Sequence, residues 1–348
     1  MSENNNNSTT PQDYLSKKTC DCLKGIFAVC VLLHHLFQHS GLFHGTLIGI
    51  GLQFLGYFSV GVYFFLSGFG LMQSFQAKGK VYLDIFPKKR ILPFYITIVF
   101  LTILYSLYQM LLGDGLEISL MIKSLLFGGT VIANGWYLQV QLFCYITFYF
   151  VFQFCRIRSC GMALITVLTL CFILGMAVFG FAHTWYVSVP LFVLGLWFSC
   201  SKNRFDQFIR NRKNWLILLL TSGLTFVISM LCCKFANITF ISEVSITLAE
   251  CAFVFCVLLI VNKVNIDCSL TRKLGVISLE IYVMQGICLS FFHSYFWNIK
   301  NPYWYVIVAS MGTVLLALAI HPLIKMIFSA CGGNRGEPKR YKHDTFSK

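Results

Sequence analysis

Residues 20–41 read CDCLKGIFAVCVLLHHLFQHSG, an apolar run that nevertheless contains Lys24 and His35. About 20 apolar residues are enough for a helix to cross the roughly 30 Å hydrocarbon core of a membrane. Ionisable side chains within such a run cost free energy unless they face protein or water, so they mark a candidate functional site. The stretch therefore predicts the first transmembrane helix and places ionisable groups inside the membrane.

The spacing of these two residues predicts that they share one face of the helix. The step from Lys24 to His35 is eleven residues, which an α-helix turns through about 1100°, roughly 20° beyond three full turns. Along the helix axis the two side chains are about 16 Å apart. A cation near one end of the helix and an imidazole deeper in the membrane are thus predicted to line up.

The composition of the whole chain is that of a polytopic membrane protein. Of its 348 residues, 57% are hydrophobic and 11% are charged, and its mean hydropathy is +0.73. Long apolar runs predict spanning helices, whereas a barrel would show alternating segments of about ten residues. We predict an all-α bundle of about ten transmembrane helices over residues 20–328, with a disordered tail over residues 1–19 and a basic tail over residues 329–348, both cytoplasmic.

The distribution of positive charge predicts the orientation. A net charge of +14 would suit a nucleic-acid-binding protein, but with a cytoplasmic N-terminus 24 of the 27 Lys and Arg residues fall on the cytoplasmic side. Only Lys123, Lys234 and Lys300 remain outside, as the positive-inside bias requires. We therefore expect a multi-pass protein of the inner (plasma) membrane whose partner is the lipid bilayer, with no nucleic acid bound.

The cysteines predict no metal site and no disulfide framework. The fifteen residues are scattered, with no CxxC unit and no histidine at zinc spacing. Buried cysteines of this kind usually act as small apolar packing residues.

His35 is the first candidate for catalysis. A lone histidine in a helix is more often a hydrogen-bonding residue of the core than a catalyst, but Gln38 and His39 lie one turn away and Lys24 is aligned with it. An imidazole has an unperturbed pKa of about 6.5, close to the working pH, so it can act as a general base toward a hydroxyl. His34 points about 100° away and is expected to pack or support.

A basic cytoplasmic loop precedes the third predicted helix, and its prolines, Pro87 and Pro93, are expected to interrupt regular structure before that helix begins near residue 91. The positive-inside bias accounts for most of the charge on Lys88 and Lys89. Arg90 differs because it lies where the chain re-enters the membrane, and a guanidinium can hold a phosphate by two parallel hydrogen bonds. Such a cluster suits a nucleotide-bearing donor such as a coenzyme A thioester.

Two acids, Glu250 and Glu280, fall within predicted spans and need a partner or water there. Pairing with a basic residue and binding of a sugar hydroxyl remain equal alternatives. Trp136 opens the fourth predicted helix, either as an aromatic anchor at the membrane interface or as a substrate contact.

Four stretches, in order along the chain, resemble the acyltransferase 3 family of membrane acyltransferases. They are Lys24 with His35, residues 60–69 (VGVYFFLSGF), residues 88–93 (KKRILP) and residues 274–286 (LGVISLEIYVMQG). The resemblance implies O-acylation, usually O-acetylation, of a cell-surface polysaccharide or lipid-linked sugar of the cell envelope. Acetyl-CoA would be the donor, and the transferred group would not be an amino-acyl group.

The resemblance also implies roles for particular residues. His35 would be the catalytic residue, supported on the donor side by Lys24, and Arg90 would hold the coenzyme A phosphates with Lys88 or Lys89. Substrate contacts are expected from six further residues: Tyr63, Ser67, Trp136, Gln141, Glu280 and Gln285.

The chain departs from the family pattern at three positions. Pro87 replaces the first arginine of an Arg-x-x-Arg pair, Gln141 replaces a frequent acid and Gln285 replaces a frequent histidine. These changes affect the expected substrate more than the expected reaction. The alternative function is a carrier that exports a small carboxylate or a lipid-linked sugar, with Lys24, His35 and Glu250 as a relay.

Overall fold

The computed structural model describes residues 13–235, 238–293 and 297–332, and within these ranges the regular structure is helical, with no strands. The helices are α1 (Lys17–Ser40), α2 (Leu47–Lys78), α3 (Lys80–Phe86), α4 (Leu92–Leu111), α5 (Ile118–Leu126), α6 (Trp136–Phe154), α7 (Arg158–Val178), α8 (Pro190–Arg210), α9 (Arg212–Phe235), α10 (Thr239–Lys263), α11 (Ser269–Val276), α12 (Ser278–His293) and α13 (Pro302–Ala330). A π-helical turn (Pro87–Ile91) joins α3 to α4, and a 3-10 turn (His183–Trp185) precedes α8.

The long apolar helices confirm the predicted all-α transmembrane bundle. In the described part of the chain, nine helices are long and apolar enough to cross a membrane, and the pair α11 and α12, bent by 71°, brings the number to ten if it counts as one span. Residues 1–12 and 333–348, which hold most of the two predicted tails, lie outside the described residues.

The chain is ordered before the first predicted span. Helix α1 begins at Lys17, and the buried Tyr14 hydroxyl donates a 2.7 Å hydrogen bond to Asp206 Oδ1. Burial and this carboxylate raise the pKa of Tyr14, so its hydroxyl stays a donor. Lys202 Nζ lies 3.1 Å from Asp13 and 2.7 Å from Asp206. The last residues of the predicted tail therefore pack against α8.

The predicted interruption at Pro87 and Pro93 is a change of helix type and not a loop: α3 ends at Phe86, the π-helical turn follows, and α4 begins at Leu92, close to the predicted start near residue 91. Proline lacks an N–H and its ring clashes with the carbonyl four residues earlier, but a wider turn relieves the clash. The π-helical turn, in which the Leu92 N–H donates to Pro87 O, supplies that width directly before Pro93. Pro93 lies in the first turn of α4, where a missing N–H costs nothing. Arg90 is consequently held on a helical turn.

The chain divides into two compact units. The first contains Met1–Gly70 and Phe181–Leu279, and the second contains Leu71–Gly180 and Glu280–Lys348. The first therefore holds α1, most of α2 and α8 to α11, whereas the second holds α3 to α7, most of α12 and all of α13.

In the first unit, two glycines let α1 and α11 meet backbone to backbone. A Cβ at Gly25 would lie 1.9 Å from Thr271 O, and a Cβ at Gly275 would lie 1.8 Å from Asp21 O. Both distances are far below van der Waals contact, so only glycine fits. This contact fixes the end of α1 that carries Lys24.

In the second unit, Gln139 ties the long connection between α4 and α6 to the helix bundle. Its amide nitrogen donates to Ser124 O at 3.0 Å and to Gly129 O at 2.6 Å, and its oxygen accepts from the Gly128 N–H at 3.3 Å. Gln139 is 4% exposed, so these bonds satisfy both the amide and the backbone of the connection.

Candidate active site

Both residues predicted to carry the chemistry lie on α1, in the first unit. Lys24 Nζ is 3.4 Å from Asp21 Oδ1, and its side chain is 39% exposed. Because that pair is solvated, it is a weak interaction that an incoming anion can displace. Lys24 is therefore available to a negatively charged group at this end of α1.

The hydrogen bond to Gln38 sets the tautomer of His35. The His35 Nδ1 lies 3.1 Å from Gln38 Oε1, three residues along the same helix. An amide oxygen only accepts, so with this amide orientation Nδ1 carries the proton and Nε2 carries the lone pair. His35 is partly exposed. In this orientation Nε2 is the ring nitrogen that can accept a proton.

His34 packs beside His35. It is 7% exposed, its Nδ1 lies 2.9 Å from Leu52 O, and its ring centre is 4.8 Å from that of His35. Its Cδ2 would be 2.5 Å from a Cβ at Gly56, so this glycine of α2 makes room for the ring. His34 therefore anchors α1 to α2 and braces His35.

Tyr63 contacts the helix that carries Lys24. Its buried hydroxyl donates a 2.9 Å hydrogen bond to the carbonyl oxygen of Lys24. Since this hydroxyl is used in holding α1, Tyr63 acts on Lys24 through the backbone. Ser67 lies one turn further along α2 and is partly exposed.

In the second unit, Lys88, Lys89 and Arg90 occupy consecutive positions on the π-helical turn, and all three are exposed. A π-helical turn is wider than an α-helical one, so consecutive residues point somewhat less than about 100° apart. The three cations therefore point in different directions around the turn.

Glu280 is paired within the second unit. It is fully buried, and its Oε1 lies 3.0 Å from Nδ1 of His321 on α13. Pairing with a basic residue was one of the two alternatives left open by the sequence, and this contact favours it.

Two buried glutamines of the second unit differ in their partners. Gln141, 2% exposed, accepts from the Tyr137 hydroxyl at 3.4 Å. Gln285 is 1% exposed, and neither its amide nitrogen nor its amide oxygen has a hydrogen-bond partner in the described ranges. An unsatisfied buried amide costs free energy, which makes Gln285 a candidate ligand contact. Trp136, the first residue of α6, is partly exposed and lies edge-on to the Tyr137 ring at 6.3 Å.

The predicted site residues thus fall in two groups. The first unit holds Lys24, His35, Tyr63 and Ser67 on α1 and α2, with Tyr63 hydrogen-bonded to Lys24 O, and the second unit holds Lys88, Lys89, Arg90, Trp136, Gln141, Glu280 and Gln285.

Sequence reasoning missed a polar pair in the first unit. The Tyr57 hydroxyl lies 2.8 Å from Nε2 of His183, 126 residues away in the chain. No local pattern signals a contact over that separation. The described residues contain no group of three or more His, Cys, Asp or Glu side chains placed to bind a metal ion.

Comparison with known protein families identifies the chain. The acyltransferase 3 family model, described as an acyltransferase domain, matches residues 18–321. No curated protein and no solved structure matches the chain. The matched range includes every residue of the candidate site and nearly all of the apolar helices. The chain therefore belongs to the acyltransferase 3 family and is a multi-pass membrane acyltransferase.

Proposed function

We propose that this protein is an O-acyltransferase of the inner (plasma) membrane. It moves an acyl group, in the simplest case acetyl, from cytoplasmic acyl-CoA to a hydroxyl of a cell-surface polysaccharide or a lipid-linked sugar. The family supports the reaction type. The proposed acceptor is supported by the resemblance of four stretches of the sequence to the acyltransferase 3 family. The proposed donor is supported by the same resemblance and by the basic turn at Arg90.

The observation that carries the proposal is the orientation of His35. With Nδ1 donating to Gln38, Nε2 can accept the proton of an acceptor hydroxyl. The hydroxyl oxygen then attacks the thioester carbonyl, the C–S bond breaks, and the leaving thiolate takes the proton back from the imidazolium. His35 is unchanged at the end of the cycle.

A second route uses the same atom as a nucleophile. Nε2 would attack the thioester carbonyl and expel coenzyme A as the thiolate, which takes the Nδ1 proton of the acyl-imidazolium. The acceptor hydroxyl then attacks the acyl group, the C–N bond breaks, and the hydroxyl proton returns to the imidazole. This route separates the donor step from the acceptor step. It differs from direct transfer in one observable, because an acyl group bound to His35 would accumulate when the acceptor is withheld.

We assign the donor phosphates to cations. Arg90 offers a planar fork of donors suited to phosphate, and Lys24 adds a displaceable charge at its end of α1. Lys88 and Lys89 contribute a general positive field. Ser67, Trp136, Gln141 and Gln285 are the proposed substrate contacts. Tyr63 is hydrogen-bonded to Lys24 O, and Glu280 is paired with His321.

The proposal is tested by acyl transfer in inverted membrane vesicles that contain or lack the protein. Radiolabelled acetyl-CoA is supplied outside the vesicles, at the face predicted to be cytoplasmic. Label in a base-labile ester on carbohydrate is expected only where the protein is present. Equal label in both preparations, or label confined to free acetate, would count against O-acyl transfer.

A further inference from the structure

A second polar region of the first unit lies away from α1. Glu243, Thr247 and Glu250 occupy positions i, i+4 and i+7 of α10, so they lie on one face of that helix. Residues 183–189, which lead into α8, run along this face. We call the two together the polar seam; its side chains are Tyr57, His183, Tyr186, Ser188, Glu243, Thr247 and Glu250.

Three hydrogen bonds join the two sides of the polar seam in order along both segments. They run from the Tyr186 hydroxyl to Glu243 Oε1 at 2.8 Å, from Thr247 Oγ1 to Val187 O at 2.8 Å, and from Ser188 Oγ to Glu250 Oε1 at 2.7 Å. The Tyr57–His183 pair adds α2 to the polar seam. The seam thus fixes the backbone of the segment before α8 at the depth of Glu250.

Glu250 ends the seam with an oxygen that is not satisfied. The residue is fully buried, and in the described part of the chain its Oε2 has no hydrogen-bond partner. No cationic side chain of the described residues forms an ion pair with it, whereas Glu280 has one in His321. A carboxyl oxygen buried in this way is costly unless a ligand completes it.

Helix α2 packs directly against that oxygen. A Cβ built at Gly61 of α2 would lie 3.3 Å from Glu250 Oε2, so Gly61 is the part of α2 that faces Oε2. Gly51, on the same helix, has nothing within 4 Å of its built Cβ. Gly61 is therefore a place where one methyl group would obstruct Oε2.

Exposure decreases along the polar seam toward Glu250. Tyr57, His183, Glu243 and Thr247 are partly exposed, whereas Tyr186, Ser188 and Glu250 are buried. Glu243 lies one turn from the start of α10, at the end predicted to be external, and Glu250 lies about 10 Å deeper. The accessible end of the polar seam is therefore the predicted external one, and a ligand that contacts Oε2 must separate the buried side chains from that end.

The chemistry of the seam selects the ligand class. It carries two carboxyl groups and no lysine or arginine, which disfavours phosphates and other anions. The described residues also offer no cluster of three metal-binding side chains. Hydroxyl groups fit best, because a ligand hydroxyl can donate to the carboxyl oxygen that has no partner, and the partly exposed ring of Tyr57 suits the apolar face of a sugar ring.

We propose that the polar seam binds a neutral, hydroxyl-rich group of the acceptor, with a ligand hydroxyl donating to Glu250 Oε2. This inference rests on the proposed function for the identity of the ligand as acceptor. It adds a site on α10, α2 and the segment before α8, of whose residues only Glu250 was singled out from the sequence, where binding of a sugar hydroxyl was one of two alternatives.

The test is carbodiimide modification of the intact protein in detergent. Dicyclohexylcarbodiimide is an apolar reagent that adds to un-ionised carboxyl groups: the acid proton goes to nitrogen, the acid oxygen bonds to the central carbon, and rearrangement gives a stable N-acylurea. Mass spectrometry follows the modification of Glu250 and Glu280 in the same sample. Glu280 is the internal control because it is equally buried but paired with His321.

A panel of neutral hexoses and N-acetylhexosamines should contain a sugar that slows modification of Glu250. At ten times its dissociation constant the slowing is roughly tenfold, and the rate at Glu280 should not change. Glucuronate, which differs from glucose by one carboxylate, should not protect. The proposal would be overturned if no neutral sugar slows the modification of Glu250, or if glucuronate slows it equally. It would also be overturned if sodium chloride protects Glu250 and choline chloride does not.

Two glycine variants of α2 test the polar seam independently of the acyl-transfer reaction. Gly61→Ala should weaken sugar protection at Glu250, whereas Gly51→Ala should leave it unchanged. If O-acyl transfer is found, Gly61→Ala should raise the KM for acceptor and leave the KM for acyl-CoA as it is. Protection without any acyl transfer would retain the site and reject the proposed function, whereas transfer without protection would do the reverse.

Discussion

Glu250 in the first unit and Glu280 in the second are the same residue type at the same burial, yet they are held differently. Each is fully buried in a spanning helix, and each accepts a hydrogen bond at Oε1. The donor is a neutral hydroxyl, Ser188, for Glu250 and an imidazole, His321, for Glu280. A histidine can carry the charge that compensates a carboxylate, and a serine cannot. The comparison teaches that the partner, more than the burial, distinguishes a structural acid from one ready for a ligand.

The largest effect is expected when the compensated acid loses its partner. His321→Leu leaves Glu280 buried without its imidazole, which should destabilise the protein by about 4 kcal/mol. His321→Gln retains a donor and should cost less than half of that. Thermal unfolding in detergent measures both variants. Equal stability of His321→Leu and the unaltered protein would remove the distinction between the two acids.

A smaller loss of stability is expected where α1 and α11 of the first unit meet backbone to backbone. Gly275→Ala places a methyl group 1.8 Å from Asp21 O, and moving α11 away from α1 should cost about 3 kcal/mol. The control Gly51→Ala meets nothing within 4 Å and should raise stability by about 0.5 kcal/mol. Thermal unfolding in detergent measures both variants. A Gly275→Ala variant as stable as the unaltered protein would show that α1 and α11 are not held this closely.

Replacing each acid by its amide sharpens the comparison directly. Glu280→Gln replaces the carboxyl group that pairs with His321 and should cost about 2 kcal/mol. Glu250→Gln keeps an acceptor for Ser188, so its cost should stay below about 1 kcal/mol. The ranking of the two melting temperatures is the measurement. A reversed ranking would mean that Glu250 carries the structural role.

The smallest effect on stability is expected at Gln285. Because neither amide atom has a partner in the described residues, Gln285→Leu should be neutral or stabilising by about 1 kcal/mol. If the amide contacts substrate as proposed, the same variant should lose acyl transfer although it is well folded. Activity and melting temperature measured on one preparation separate the two effects, and full activity would exclude Gln285 from the site.

Much of the fold was predictable, because long apolar runs and the loop distribution of lysine and arginine are strong signals. The all-helical bundle of about ten spans is confirmed on this basis. The helical path from Pro87 to Pro93 was not predictable, since a π-helical turn has no signature in the sequence. The two compact units also have none, because each is assembled from two distant parts of the chain.

The candidate site was predictable only in part. The spacing of Lys24 and His35 follows from helical geometry, and the family match covers both residues. The roles of Tyr63, whose hydroxyl holds α1, and of Ser188, which binds Glu250, depend on contacts 39 and 62 residues apart. Such contacts arise from tertiary packing and cannot be read from local pattern.

His35 provides the most direct test of the account. Acetyl transfer from radiolabelled acetyl-CoA in inverted vesicles should be abolished by His35→Ala, because the proposed reaction assigns the proton of the acceptor hydroxyl to His35. The matched control is His44→Ala, an exposed histidine in the loop after α1, which should transfer at the rate of the unaltered protein. Transfer by His35→Ala at that same rate, with both variants present in equal amounts in the membrane, would contradict the assignment of His35 as the catalytic residue.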